Sequence, residues 1–104
     1  MSHSISVILP NYNGSHLLQE NLPYLIESLG NIPNEIIVVD DCSTDDSIDM
    51  LKQKYPDIKT IASESNEGFS ATCNKGIKAA GNELLCIVNT DVRFTADYFR
   101  NSIK

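Results

Sequence analysis

The sequence predicts an α/β fold, a Rossmann-like open parallel sheet with helices on both faces. Three observations carry that expectation. Strand-like apolar runs alternate with helix-period segments in the order β-α-β-α-β-α-β, with a further helix beginning at Thr95. Two of the runs, Ile36-Ile37-Val38-Val39 and Leu84-Leu85-Cys86-Ile87-Val88, are continuously apolar, as strands buried on both faces are. The first of these runs straight into Asp40-Asp41-Cys42-Ser43-Thr44-Asp45, a polar turn that can open a helix. In open α/β sheets, ligands bind at that carboxyl edge.

In chain order, Ile5-Ser6-Val7-Ile8-Leu9 is the first strand, stopped by Pro10, which has no N–H for a ladder. Asn11-Tyr12-Asn13-Gly14 is a turn by composition. Leu18, Leu22, Leu25 and Leu29 then recur at helical spacing, with Ser15 or Asn13 as the cap and Gly30 as the stop. Pro23 lies inside that pattern and predicts a kink or a two-piece helix. After the second strand, Ile48, Leu51 and Tyr55 mark a short amphipathic helix closed by Pro56. Residues 58–62 form a weaker, more polar strand suited to an edge, followed by a loop over residues 63–68. Phe69, Cys73, Ile77 and Ala80 predict the apolar face of a third helix ending at Gly81. The fourth strand, residues 84–88, reads as central, and Asn89-Thr90-Asp91 follows it.

Composition narrows the function classes. A chain of 104 residues is one domain, and 41% hydrophobic with 21% charged residues is ordinary for a globular one. The formal net charge is -6 and the few Lys and Arg are scattered, which excludes a nucleic-acid backbone as partner. An acidic protein that handles an anionic ligand needs a divalent cation between them. Cys42, Cys73 and Cys86 are odd in number, far apart and without C-x-x-C spacing, so neither a zinc site nor a disulfide framework is indicated. A reducing, cytoplasmic setting follows. Met1-Ser2-His3 leads directly into a strand with no leader pattern, and no run approaches the roughly 20 apolar residues that cross a bilayer.

All carboxyl ends of a parallel sheet share one edge, and here each carries polar groups: Asn11 and Tyr12, Asp40 and Asp41, Ser63 to Asn66, and Asn89 with Asp91. The Tyr12 ring can stack on a planar base. Asp41 can accept hydrogen bonds from a base N–H or ribose hydroxyls. Asp91 is a hard oxygen ligand suited to Mg²⁺ or Mn²⁺. Plainer roles compete. Asp40 is as well explained as a cap of the second helix, Ser43 and Thr44 as caps, Tyr12 as a turn residue, and Asp91 as the cap of a following turn. Lys75 and Lys78 read as solvated helix residues and His16 as a surface residue with no acidic partner. Cys42 reads as a small turn residue, and Cys73 and Cys86 as core.

Four segments carry a family resemblance: Ser6 to Asn13 (SVILPNYN), Ile37 to Asp45 (IVVDDCSTD), Asn66 to Gly76 (NEGFSATCNKG) and Val88 to Val92 (VNTDV). Together, in register and in order, they resemble the successive signatures of family 2 glycosyltransferases. The resemblance implies a GT-A fold that binds a nucleotide-diphosphate sugar and transfers the sugar with inversion. By position it implies that Pro10, Tyr12 and Asp41 line the base and ribose pocket with Asn11 and Asp40 beside them. It implies that Asn66, Gly68 and Asn74 shape the loop and helix facing the diphosphate, together with Thr90. Asp91 matches the last acid of the family's D-x-D-like metal motif, with Asn89 in place of the first acid. Cys42 stands where the family often has Gly.

The resemblance further implies that residues 1–104 are the nucleotide-sugar-binding half of a longer domain, truncated before the acceptor half that holds the catalytic base. That portion is expected to bind the donor, with a saccharide or lipid-linked acceptor as second substrate, and to be inactive alone. It is expected to self-associate through its truncated edge and to work in the cytoplasm, at the inner face of the membrane in the longer protein. The alternatives are a sugar nucleotidyltransferase and a non-catalytic nucleotide-binding or assembly fragment. The first wants a basic, glycine-rich loop after the first strand, and Asn11-Tyr12-Asn13-Gly14 has no basic residue. A dinucleotide oxidoreductase is excluded because no G-x-G-x-x-G occurs.

Overall fold

Four extended segments pair side by side because each can satisfy its backbone groups only through a neighbour. The structure, a computed structural model, describes residues 4–90. The strands are β1 (Ile5–Asn11), β2 (Asn34–Asp40), β3 (Lys59–Ala62) and β4 (Leu84–Ile87), and the helices are α1 (Ser15–Leu29), α2 (Ser47–Lys54) and α3 (Phe69–Ala79). All pairings are parallel and the strand order is β3-β2-β1-β4. The register sets Asn11 beside Asp40, so the polar ends of β1 and β2 finish level.

Side-chain alternation sends each strand's apolar residues to two cores. Val7, Leu9, Ile36 and Val38 pack with Leu18, Leu22, Leu25 and Leu29 of α1 and with Met50 and Leu51 of α2. Ile8, Ile37 and Val39 face the other way, toward the end of α3 and Ala80. Gly76 brings α3 close, since a Cβ there would fall 2.4 Å from Ile8 Cγ2 and 3.1 Å from Val39 Cγ2. The parallel sheet with helices on both faces is as expected, and among the described residues β3 is an edge strand.

Several expectations are corrected. Pro10 does not stop β1, which continues to Asn11. The Ile8 carbonyl accepts the Val88 N–H on the β4 side, and the Asn11 carbonyl accepts the Asp41 N–H on the β2 side. By alternation the Pro10 nitrogen therefore points to the β4 side, so the missing N–H ends the β4 ladder after Ile8 and Ile87 and leaves the β2 ladder intact. Pro23 does not divide α1. An interior proline costs about 3 kcal/mol, whereas burying each leucine of the stripe returns about 1.5–3 kcal/mol. Gly30 does end α1, at φ +53°, its N–H reaching the Ile26 and Glu27 carbonyls.

β4 is not central: among the described residues it pairs only with β1, and its residues alternate, leaving Leu85 and Ile87 exposed. Cys86, on the inward side, is half-buried rather than fully core. The buried face of α3 is Thr72, Cys73 and Gly76, while Phe69 and Ile77 are exposed. Close approach at Gly76 turns the small residues onto the sheet and the large ones away from it. The expectations at Asp91 and Thr95 lie outside the described residues.

Candidate functional site

The site grows from the level ends of β1 and β2. Asp40 is buried and faces inward, its Oδ1 accepting from Asn11 Nδ2 at 2.8 Å and Ser43 Oγ at 2.7 Å, its Oδ2 from the Ser43 N–H at 2.9 Å. It therefore closes the turn after β2 rather than capping α2. Asp41 reaches across to the next crossover. Its Oδ1 accepts the Glu67 N–H at 2.7 Å and its Oδ2 the Gly68 N–H at 3.0 Å. Gly68, at φ +93°, immediately precedes α3, and its carbonyl accepts from both the Thr72 N–H and Thr72 Oγ1. A carboxylate at a helix N-terminus is favoured by the helix dipole, and one amide per oxygen leaves Asp41 further acceptor capacity.

Asp41 lies in a cleft of about 150 Å³ lined by Pro10, Asn11, Tyr12, Asp41, Phe69 and Thr72. Four of the sequence-predicted residues thus meet in one place. Gly68 holds the cleft's carboxylate from behind. Asn66 and Asn74 are exposed and are not among the cleft's lining, and neither is Asp40. Thr90 sits toward α1, where its carbonyl accepts from Asn21 Nδ2 at 2.8 Å. A larger hollow of about 340 Å³ opens at the amino edge of the sheet between Ile26, Tyr55 and Ile58. Its strand acid, Glu35, is tied to Ser6 Oγ and the Gly81 N–H, and Asn34, Lys54 and Asp57 complete its polar lining.

The loops behind the cleft are cross-linked. Asn13, at φ +52°, accepts through Oδ1 from the Thr44 and Asp45 amides, while its own N–H donates to Ser43 Oγ. Asp45 takes the place expected for Ser15 or Asn13: its Oδ2 accepts the Ser15 N–H at the start of α1, and its Oδ1 accepts the Ser47 N–H and hydroxyl at the start of α2. Burial pushes the Asp45 carboxyl up, but the Ser47 hydroxyl and the Ser15 and Ser47 amides outweigh it and hold the group below the usual aspartate value. Cys42 adopts φ +62°, a region that favours glycine, and its Sγ donates to the Glu64 carbonyl at 3.5 Å. Burial pushes the Cys73 and Cys86 thiols up, which disfavours the thiolate form of both.

Four residues behave differently from expectation. Lys75 is not simply solvated: Nζ pairs with Glu67 Oε1 at 2.8 Å and donates to Ser63 Oγ at 2.7 Å, clamping the loop that Asp41 holds. His16 faces Glu20 at 3.8 Å on the exposed side of α1. Phe69 and Thr72, read as helix residues only, line the cleft. A large aromatic just after Gly68, at the carboxyl edge, was the available signal for Phe69.

The described residues do not by themselves form a cation site. No group of three acidic, His or Cys side chains gathers among them, and the carboxylates of Asp40 and Asp41 already accept protein N–H and O–H groups. Asp91 lies outside them. No described helix is long and apolar enough to cross a membrane.

An open parallel α/β sheet with an acid-floored, aromatic-walled cleft at its carboxyl edge defines a class of ligand-binding α/β domain. Residues 6–104 match the model of Glycosyl transferase family 2, and the chain belongs to that family. It is 38% identical to the poly(ribitol-phosphate) beta-glucosyltransferase of Bacillus spizizenii over 92 residues, which is 84% of this chain and 14% of that protein. Among solved structures, it resembles the mannosyltransferase PcManGT of Pyrobaculum calidifontis in complex with GDP-Man and Mn²⁺, with a TM-score of 0.81 and 25% identity over 93% of this chain and 30% of that one. It also resembles residues 1–349 of S. aureus TarS in complex with UDP, with a TM-score of 0.81 and 28% identity over 98% of this chain and 31% of that one. The chain thus spans less than a third of the length of each of these three relatives.

Proposed function

We propose that this chain forms the donor-binding part of an inverting glycosyltransferase, holding a nucleotide-diphosphate sugar at the carboxyl edge of its sheet. The observation that carries the reading is the meeting of Pro10, Asn11, Tyr12 and Asp41 in one cleft. Tyr12 offers a flat apolar face for the base, and Asp41 accepts an N–H from it or a hydroxyl from the ribose. Gly68 and the start of α3 lie beside that carboxylate, where partial positive charge from the helix keeps it ionised and in place for the nucleoside. Relatives solved with GDP-Man and with UDP support a donor of this kind.

In this reading Asp91 takes Mg²⁺ or Mn²⁺, a role supported by the Mn²⁺ of the mannosyltransferase complex. Asn66, Asn74 and Thr90 contact the donor from the cleft's margins. The sugar passes with inversion to a hydroxyl of a saccharide or lipid-linked acceptor, and the base that deprotonates this hydroxyl belongs to residues beyond those described. Three unpaired cysteines support a reducing, cytoplasmic setting.

Calorimetric titration with UDP, GDP and dTDP, each with and without Mn²⁺, tests the reading. Micromolar to millimolar binding that requires Mn²⁺ and disappears in Asp91→Ala is expected. Binding indifferent to Mn²⁺ and to Asp91→Ala would remove the cation from the proposal, and absence of binding to all three would remove the donor site.

A further inference from the structure

Phe69 is an apolar ring on the first turn of a helix that packs against a sheet, yet it is 62% exposed. Its backbone is fixed without any help from the ring. Asp41 holds the preceding Gly68 N–H, and the Gly68 carbonyl is bonded by the Thr72 amide and hydroxyl. The ring therefore contributes little to where α3 begins, and its position serves the cleft it lines. Tyr12, arriving from the end of β1, lines the same cleft and is 53% exposed.

Two exposed rings from separate crossovers, with a buried acceptor-only carboxylate between their elements, match one kind of ligand group: a planar ring with apolar faces and an N–H edge. We infer that Phe69 is a second stacking surface for the nucleobase of a nucleoside diphosphate, setting affinity for the base whatever its identity, while Asp41 reads its N–H edge. The inference rests on the donor-site reading and adds to it a residue that the sequence assigns to a helix core. Stacking is tolerant of base identity because every base has a π-face. Phe69 therefore governs how tightly nucleotides bind, not which of them is chosen.

The test is calorimetric titration of UDP and GDP, in the presence of Mn²⁺, into the chain and its Phe69→Leu and Phe69→Trp variants, alongside urea unfolding of all three. Phe69→Leu is expected to weaken both nucleotides by roughly tenfold or more while Phe69→Trp retains them. The urea midpoint is expected to stay unchanged, because the ring is exposed. UDP and GDP binding that survives Phe69→Leu overturns the inference and leaves the donor site standing. A loss of binding matched by a fall in the urea midpoint overturns it too, since the ring would then be structural. An unsubstituted chain that binds neither nucleotide overturns the donor site and this inference together.

Discussion

Asp41 Oδ2 holds the Gly68 N–H at 3.0 Å, so the residue just past β2 fixes where α3 begins. The partner bond to the Glu67 N–H completes a two-point grip on the loop, and Lys75 closes the far side through Glu67 and Ser63. Binding geometry and loop geometry therefore share one carboxylate.

Asp41→Asn separates these roles poorly, and that is its use. An amide can accept at only one atom, and its NH₂ would face a backbone N–H. The loss of one charge-assisted bond and the clash at the other are expected to cost about 1–3 kcal/mol by urea unfolding. Amide exchange at Glu67 and Gly68 should accelerate more than elsewhere, and nucleotide affinity should fall at least as far as stability does.

Gly76→Ala is expected to be the more damaging change, although it is far from the cleft's rings. The added Cβ would lie 2.4 Å from Ile8 Cγ2, and Ile8 is fully buried between strands that cannot part. Overpacking of this kind costs about 1–3 kcal/mol. Gly81→Ala is the control, since the nearest atom to its Cβ is Glu35 Oε2 at 3.6 Å. A urea midpoint lowered only by Gly76→Ala supports the close approach of α3.

The parts of this arrangement that sequence reasoning reached are those set by local pattern. Continuous branched runs gave β2, and a polar cluster at each strand end gave the cleft's edge, including Tyr12 and Asp41. Long-range choices were not legible. The alternation of β4 depends on which strand it lies beside, so Leu84 to Val88 looked central although among the described residues it is an edge. Helical spacing counted Phe69 as core because period alone cannot say which face a glycine will press to the sheet. The double cap by Asp45 joins residues about thirty positions apart, beyond any capping pattern read along the chain.

Cys42 stores a small amount of backbone strain at φ +62°. A non-glycine residue in that region costs about 1–2 kcal/mol, whereas glycine gives back roughly 0.5–1 kcal/mol through its freer unfolded chain. Cys42→Gly should therefore be neutral to slightly stabilising, and Cys42→Val, β-branched at positive φ, clearly destabilising. Thermal midpoints of the two variants check the sign. Equal destabilisation by both would show that the bond from Sγ to the Glu64 carbonyl outweighs the strain.

Acid should loosen the molecule through two carboxylates away from the cleft. Bonds from Ser6 and Gly81, with the Lys59 charge, hold Glu35 below its ordinary 4.5 against a rise from burial. Asp45, pushed up by burial, is nonetheless held below its ordinary 3.8 by Ser47 and Ser15. A depressed folded-state pKa gives stability that is complete above the ordinary value and is lost as pH falls through the folded one. Stability should thus be flat toward neutrality from about pH 5 and decline as pH drops below 4.5 and then 3.8. Glu35→Gln should remove part of that decline, and Asp45→Asn a further part at lower pH, while each lowers stability at pH 7. The effects add because the two sites lie at opposite edges of the sheet and share no partner. Urea midpoints measured from pH 7 to pH 3 decide the matter: an acid slope that persists in the double variant would assign it to other carboxylates.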